Sequence, residues 1–398
     1  MLKSLTIDEL KVGMHVKDII LKNSNHKVKN QGVVNSARTI ELLKKQGVAR
    51  VVIECDDECE DEVNGKAQSP DTEDDEKNTP EEAIDETQSL ADEFNRSCEI
   101  YDEATESVRE LFLNTSMGKP LSPESMSLLA GEITSSLLRN EHAITILTRI
   151  REKSNYQWEH AINCGVLICG FGLYLGLKKE TVQEMTLGAL LHDIGTAKVS
   201  NAILDKNGEL TANELSVVKK HVIWGVELAK RDNFSSPIII DMMVNHHERL
   251  DGSGYPRGLS SKKLSKLSRM TAIVDVYDAM TGDKAYKKGE LPQAVLRHLL
   301  KESKKFDPEL VQQFIKYMGI HPVGSLVLLS NEKLAVVLES NRIEPLKPKV
   351  KVIYNLKLER FSKPADHDLT EEDFGIVATV HASDYQINLN KVIRDIVT

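Results

Sequence analysis

Little in this sequence of 398 residues points out of the cell or into a membrane. There are only five cysteines: Cys55 and Cys59 fall in an acid-rich stretch, Cys98 stands alone, and Cys164 and Cys169 lie inside an apolar segment. They spell out no disulfide framework. The first ten residues lack the basic start and apolar run of a secretory signal, which predicts a cytoplasmic protein. Residues 161–177 are apolar apart from Asn163, but they fall short of the roughly 20 residues a spanning helix needs. They read as a buried core helix, with no membrane insertion. Internal repeats are absent, and 40% hydrophobic with 28% charged residues excludes a fully disordered or collagen-like chain.

Charge is unevenly spread. The net charge is −10, from 51 basic and 61 acidic residues. Residues 54–93 hold 18 of the acids and only two bases, Lys66 and Lys77, a balance of −16 that leaves +6 for the remainder. Rich in polar residues and prolines, this segment cannot bury enough surface to offset its ordering entropy. It reads as a disordered, solvated linker, with an acidic docking tail as the other reading. The mildly basic remainder gives no sign of a DNA or RNA partner.

Residues 1–53 read as a small α/β unit, with strands near 14–21 and 48–53 and a helix near 36–46. Phe94, Ile100, Val108 and Leu111 recur at helical spacing, which predicts a connecting or partner-binding helix within 94–120. From Ser122 to residue 320 the pattern is helix after helix: Ser122-Pro123 is a capped start, and Thr211 with Glu214 forms a capping box opening a helix through His221. A Gly/Pro loop is expected over 251–258 and a helix over 268–281. Beyond Pro322, short β-rich runs at 325–329, 335–338 and 350–354 predict a β-rich appendage over 321–398. The fold class is mainly α, with a small N-terminal α/β unit and a short C-terminal β appendage.

The histidines carry the chemistry. With 12 His and 25 Asp, chance alone predicts about 0.75 His-Asp pairs, so a bare pair means little. The chain holds its own control: His367-Asp368 sits in what reads as a polar C-terminal loop with only His381 nearby. His192-Asp193, by contrast, ends the apolar run 185–191, and further ligand-type residues recur on separate helices: His160, His221, His246, His247 and Asp275. Adjacent residues on a helix diverge by about 100°, so His246 and His247 suit two neighbouring ions better than one. Five histidines and two aspartates from several helices point to a two-metal site that Asp193 can bridge.

The run LLHDIG (190–195), then HHERLDGSGYP (246–256) and VDVYDAMTGDKAY (274–286), strongly resembles the HD-GYP branch of the HD phosphohydrolases over about residues 121–320. The N-terminal unit is similar to the small domain that often precedes such modules. The resemblance implies a helical HD-type metallohydrolase bundle that opens cyclic di-GMP to linear pGpG and, in some members, on to GMP. It places metal ligands at His160, His192, Asp193, His221, His246, His247 and Asp275. Two divalent ions, iron or manganese, are expected. Tyr156 stands where three-metal members carry Glu, so a binuclear site is predicted. Such a pair of cations lowers the pKa of a bridging water and clamps phosphate oxygens during in-line attack. His192, Asp193 and Asp278 are the expected catalytic residues, Asp278 standing one turn after Asp275 to orient ligands or handle a proton.

Departures bear on substrate binding. The family's usual HDIGK has Thr196 in place of Lys, with Lys198 the nearest cation, and its Arg-Pro-Tyr reads Lys284-Ala285-Tyr286, followed by Lys287. Lys198, Lys284, Lys287 and Tyr255 are therefore the expected substrate contacts, with weaker affinity than in better-matched members. The loop around Tyr255 has a second reading, as a cap on the bundle that presents a partner surface. Two other functions stay in play: a weak or inactive cyclic di-GMP sensor or scaffold that binds partners such as diguanylate cyclases, and an HD hydrolase for ordinary nucleotides or alarmones. The intact ligand set disfavours the first, and the GYP loop disfavours the second.

Overall fold

The computed structural model describes residues 2–6, 10–11, 14–21, 27–33, 48–54, 87–149, 156–206, 208–234, 236–283 and 288–397. The chain divides into two units, Met1–Glu81 and Glu82–Thr398. In the first, β1 (Leu2–Thr6), β2 (His15–Leu21), β3 (Lys27–Val33) and β4 (Val48–Glu54) form an antiparallel sheet of order β1-β4-β2-β3. This contains both expected strands. The helix expected near 36–46 and the body of the acidic linker lie outside the described residues.

The second unit is mainly helical. It opens with α1 (Leu90–Ser116), α2 (Pro123–Arg139), α3 (Ala143–Leu147), α4 (Tyr156–Tyr174) and α5 (Lys179–Leu191). A 3-10 turn (Ile194–Lys198) leads to α6 (Asn201–Leu204), α7 (Ala212–Lys219), α8 (His221–Arg231), α9 (Pro237–Asn245), α10 (Lys266–Thr281), α11 (Pro292–Lys301) and α12 (Pro308–Met318). The Ser122 cap and the Thr211/Glu214 capping box both form. The helix opened by that box stops short of His221: it is interrupted by a turn at Lys220, and α8 starts at His221.

Helix α4 positions everything else. Residues 161–172 are buried without interruption, and the helix lies between two apolar clusters: Val166 and Cys169 face one, Leu167, Ile168 and Phe171 the other. A helix with core on both sides must be apolar all round, which is why its sequence looked membrane-like. Among the described residues, no helix is long and apolar enough to cross a membrane.

The helix expected within 94–120 begins earlier, at Leu90, because the Ser89 hydroxyl accepts the Asp92 amide and caps it. It is part of the bundle and not a connector: the Tyr101 hydroxyl donates to Asn163 on α4 at 2.8 Å. Glu93, which the charge count put in the linker, is fully buried and receives Arg139 Nε at 2.6 Å and Nη2 at 2.8 Å. Glu93→Ala removes both bonds from a guanidinium that is itself 3% exposed, and is expected to cost about 3–5 kcal/mol in chemical denaturation. An unchanged midpoint would contradict this account.

The C-terminal part holds the three expected strands, as β5 (Leu326–Leu329), β6 (Lys333–Glu339) and β7 (Lys349–Asn355). It also has β8 (Arg360–Asp368), β9 (Ile376–Thr379) and α13 (Leu389–Val397), in a five-stranded antiparallel sheet of order β8-β7-β6-β5-β9. His367 and Asp368 therefore end an edge strand and do not sit in a loop.

Candidate metal centre

Helix ends bring the chemistry together. His160 lies in the second turn of α4, His192 caps the C-terminus of α5 with Asp193 next to it, His221 starts α8, and His246 caps α9 with His247 following. Asp275 and Asp278 are buried one turn apart on α10. At three of the helix ends the same local geometry recurs. Nδ1 of His192, His221 and His246 contacts the carbonyl three residues back, on Ala189 at 2.6 Å, Val218 at 2.7 Å and Met243 at 2.8 Å. A carbonyl only accepts, so each Nδ1 must be the N–H donor, and each Nε2 is left to face the centre.

All seven expected ligands converge. Asp193 Oδ1 lies 3.1 Å from His221 Nε2 and 3.6 Å from His246 Nε2, while its Oδ2 lies 3.6 Å from His192 Nε2 and 4.0 Å from His160 Nε2. One carboxylate thus faces two histidine pairs. Asp275 Oδ1 stands 3.2 Å from His160 Nε2, and its Oδ2 is 3.5 Å from His247 Nδ1. Asp278 Oδ2 takes the other side of the His160 ring, 2.7 Å from Nδ1.

The electrostatics match a cation site. Burial works against ionisation of Asp193 and Asp275, but the surrounding imidazoles outweigh it and hold both well below the usual carboxylate range. Burial lowers His192, and burial with His246 lowers His247 strongly. His160 and His221 are buried too, yet Cys164, Asp275 and Asp278 raise the first and Asp193 the second. Among the described residues His192 Nε2 is buried with no hydrogen-bond partner. An orphaned imidazole lone pair beside an ionised carboxylate is the donor chemistry a divalent cation satisfies.

The loop beside this centre is built onto it. Tyr255 packs its ring 4.6 Å, centroid to centroid, from His247 and 6.4 Å from His221, and burial with Asp193 and Asp275 pushes its phenol up, so it stays protonated. Glu248 is buried and accepts the amides of Arg257 at 2.8 Å and Leu259 at 2.9 Å, tying the loop to the end of α9. Gly254 passes so close to Glu248 and Arg249 that a Cβ would lie 2.4 Å from Glu248 Cα.

The expected phosphate cations fare differently. Lys198 is exposed at the end of the 3-10 turn, and Thr196 is turned inward with its hydroxyl on the Asp193 carbonyl at 2.7 Å. Lys284 and Lys287 lie outside the described residues. The side chain of Tyr156 is likewise not described. Two site features escaped the sequence reading. Glu248 had a signal, an acid directly after His246-His247 and before a glycine-rich loop; Lys219, whose ammonium lies 4.9 Å from the Tyr255 ring centroid, had none beyond its closeness to His221.

The helix bundle and this His/Asp centre define a metallohydrolase of the HD type. A model described as an HD domain matches residues 151–310, a domain of unknown function matches 2–126, and a KOW domain associated with the HD domain matches 326–388. A cyclic di-GMP phosphodiesterase of Pseudomonas aeruginosa is 32% identical over 363 residues, covering 90% of this chain and 86% of that protein. The cyclic di-GMP phosphodiesterase PdeB of Borreliella burgdorferi is 29% identical over 241 residues, 60% of this chain and 63% of PdeB. A 3'3'-cGAMP-specific phosphodiesterase of Vibrio cholerae is 31% identical over 187 residues, 46% of this chain and 35% of that protein. The chain belongs to the HD-GYP family of HD-domain phosphodiesterases. The HD domain implies divalent metal binding, and the residues gathered here fit it.

Proposed function

We propose that this chain hydrolyses cyclic di-GMP to linear pGpG, and onward to GMP, using two divalent ions, iron or manganese, in the cytoplasm. The observation that carries the reading is Asp193, whose two oxygens each face a separate pair of histidines. His160, His192 and Asp275 would hold one ion, and His221, His246 and His247 the other, with Asp193 between them; His246 and His247, expected on separate ions, fall in one group because both lie past the last residue of α9 and are not held to the divergence of neighbouring helical positions. When bound, such ions supply Lewis-acid activation of water and neutralise charge on the phosphodiester. The chain's own groups fix the rest. Backbone carbonyls lock the ring orientation of His192, His221 and His246. Asp278 is a positioning residue, buried against His160 on the edge opposite Nε2. Tyr255 closes one wall and keeps an O–H donor at the site. Lys198, Lys284 and Lys287 remain proposed contacts to substrate phosphate.

The test incubates metal-loaded protein with cyclic di-GMP, follows pGpG and GMP by chromatography, and repeats the assay with chelator and with 3'3'-cGAMP. Metal-dependent product from cyclic di-GMP supports the reading. No product, or product from cGAMP alone, overturns it. Elemental analysis is expected to find two ions per chain, and three would refute the role given to Tyr156. Asp278→Asn is expected to weaken metal binding by about 10–100-fold in chelator competition, with the fold intact. Unchanged affinity would remove Asp278 from the supporting set.

A further inference from the structure

We propose that Lys219 is a further phosphate-binding cation, at the mouth of this centre, acting together with the Tyr255 hydroxyl. The inference rests on the reading above that a phosphodiester binds at the His/Asp centre. Lys219 ends α7, two residues before His221, and the turn at Lys220 separates it from α8. Its ammonium lies 4.9 Å from the centroid of the Tyr255 ring, and that ring packs on His247 and neighbours His221. The charge is therefore one aromatic ring away from two of the histidines that face the centre.

Two further observations bear on this role. Among the described residues no carboxylate forms an ion pair with it, whereas Lys206 is paired with Glu214 at 2.6 Å and Lys288 with Asp384 at 2.8 Å. A cation held on an aromatic face keeps its charge uncompensated and its hydrogen-bond donors free for an anion. Thr196, the buried residue of the turn after Asp193, spends its hydroxyl on a backbone carbonyl and brings no charge. A compact ammonium suits a phosphate oxygen as a point charge, and the Tyr255 ring on which it rests carries a hydroxyl as a second donor. Non-bridging phosphate oxygen is thus the group that Lys219 recognises, and the nucleobase is not.

Inorganic phosphate binding to the manganese-loaded full chain, read by calorimetry, tests this apart from turnover. Lys219→Ala is expected to weaken phosphate binding by about tenfold, Lys219→Arg to restore most of it, and Lys220→Ala to leave it within about twofold of the parent. Metal content should be the same in all four proteins. Equal binding by Lys219→Ala and the parent, or an equal loss in Lys220→Ala, overturns the proposal. Failure of the parent to hydrolyse cyclic di-GMP would instead count against the proposed substrate, because the phosphate isotherms are read independently. Where the parent does turn over, Lys219→Ala should raise KM and spare kcat. A fall in kcat with unchanged KM would contradict a binding role.

Discussion

Replacing His192 and Asp193 together with alanine is expected to bring metal-dependent hydrolysis down to the buffer background and to leave the chain without tightly bound divalent metal. Asp193 is the group that faces both histidine pairs, and His192 Nε2 is a buried lone pair with no hydrogen-bond partner among the described residues, so the change removes the bridge and one of its supports. What remains is His160 and Asp275 on one side and His221, His246 and His247 on the other, linked by the Asp275 Oδ2 contact to His247 at 3.5 Å but without the carboxylate that faces both histidine pairs. The second His-Asp pair supplies the control. His367 Nδ1 contacts Glu372 Oε1 at 2.6 Å, and Asp368 Oδ1 accepts the Thr370 amide at 3.0 Å; both are local contacts at an edge strand. Alanine at both of those positions should leave metal content and turnover unchanged. Elemental analysis and chromatography on the two double variants check this, and retained metal in the first would show that the centre does not depend on the bridge.

Gly195→Ala is expected to damage the same centre without touching a ligand. A Cβ on Gly195 would lie 2.0 Å from the His221 carbonyl oxygen and 2.6 Å from the Gly225 nitrogen. Both atoms are backbone of α8, so no rotamer change relieves the clash. The turn carrying Asp193 must move off the helix that starts with His221, and their 3.1 Å approach is lost. Overpacking of this kind typically costs about 1–3 kcal/mol or more, and here the displacement falls directly on ligand spacing. Thermal melting should show a lower midpoint, with a larger drop when metal is present, because the parent gains binding stabilisation that the variant forfeits. Gly131→Ala in α2 is the comparison: its Cβ would meet only Gln183 Nε2, at 3.8 Å, and a helical Gly→Ala change there should be neutral or stabilising by up to about 1 kcal/mol. Equal melting of Gly195→Ala and the parent would refute the packing argument.

The candidate centre was legible because His192-Asp193 ends an apolar run and because the runs LLHDIG, HHERLDGSGYP and VDVYDAMTGDKAY carry the ligand positions that the family resemblance implies. Its supports were less so. Nothing in the sequence says that Gly195 is required by a helix starting 26 residues later, or that Lys219 lies against Tyr255; both depend on how distant segments pack. The start of α1 was misjudged for a different reason. Charge counting treats Glu93 as one more acid in an acidic run, whereas burial beside Arg139 makes it part of the interior. Strand β8, RFSKPADHD, carries a proline and has no apolar alternation, because an edge strand can be held by backbone pairing to β7 while its side chains stay in water. Periodicity has nothing to detect there.

The apolar cluster on one side of α4 runs from Phe94 in α1 through Ile133 and Ile144 to Val327 and Val336 of the sheet and on to Ile393 and Val397 in α13. The segment bearing the signature motifs, residues 121–320, is therefore not a module that can be cut out at its sequence borders. A fragment with those ends would expose a large oily face once covered by α1 and the sheet, and it would clump whatever the state of its metal ligands. Dissecting this protein for study calls for a cut ahead of Ser89 and retention of the chain through Val397.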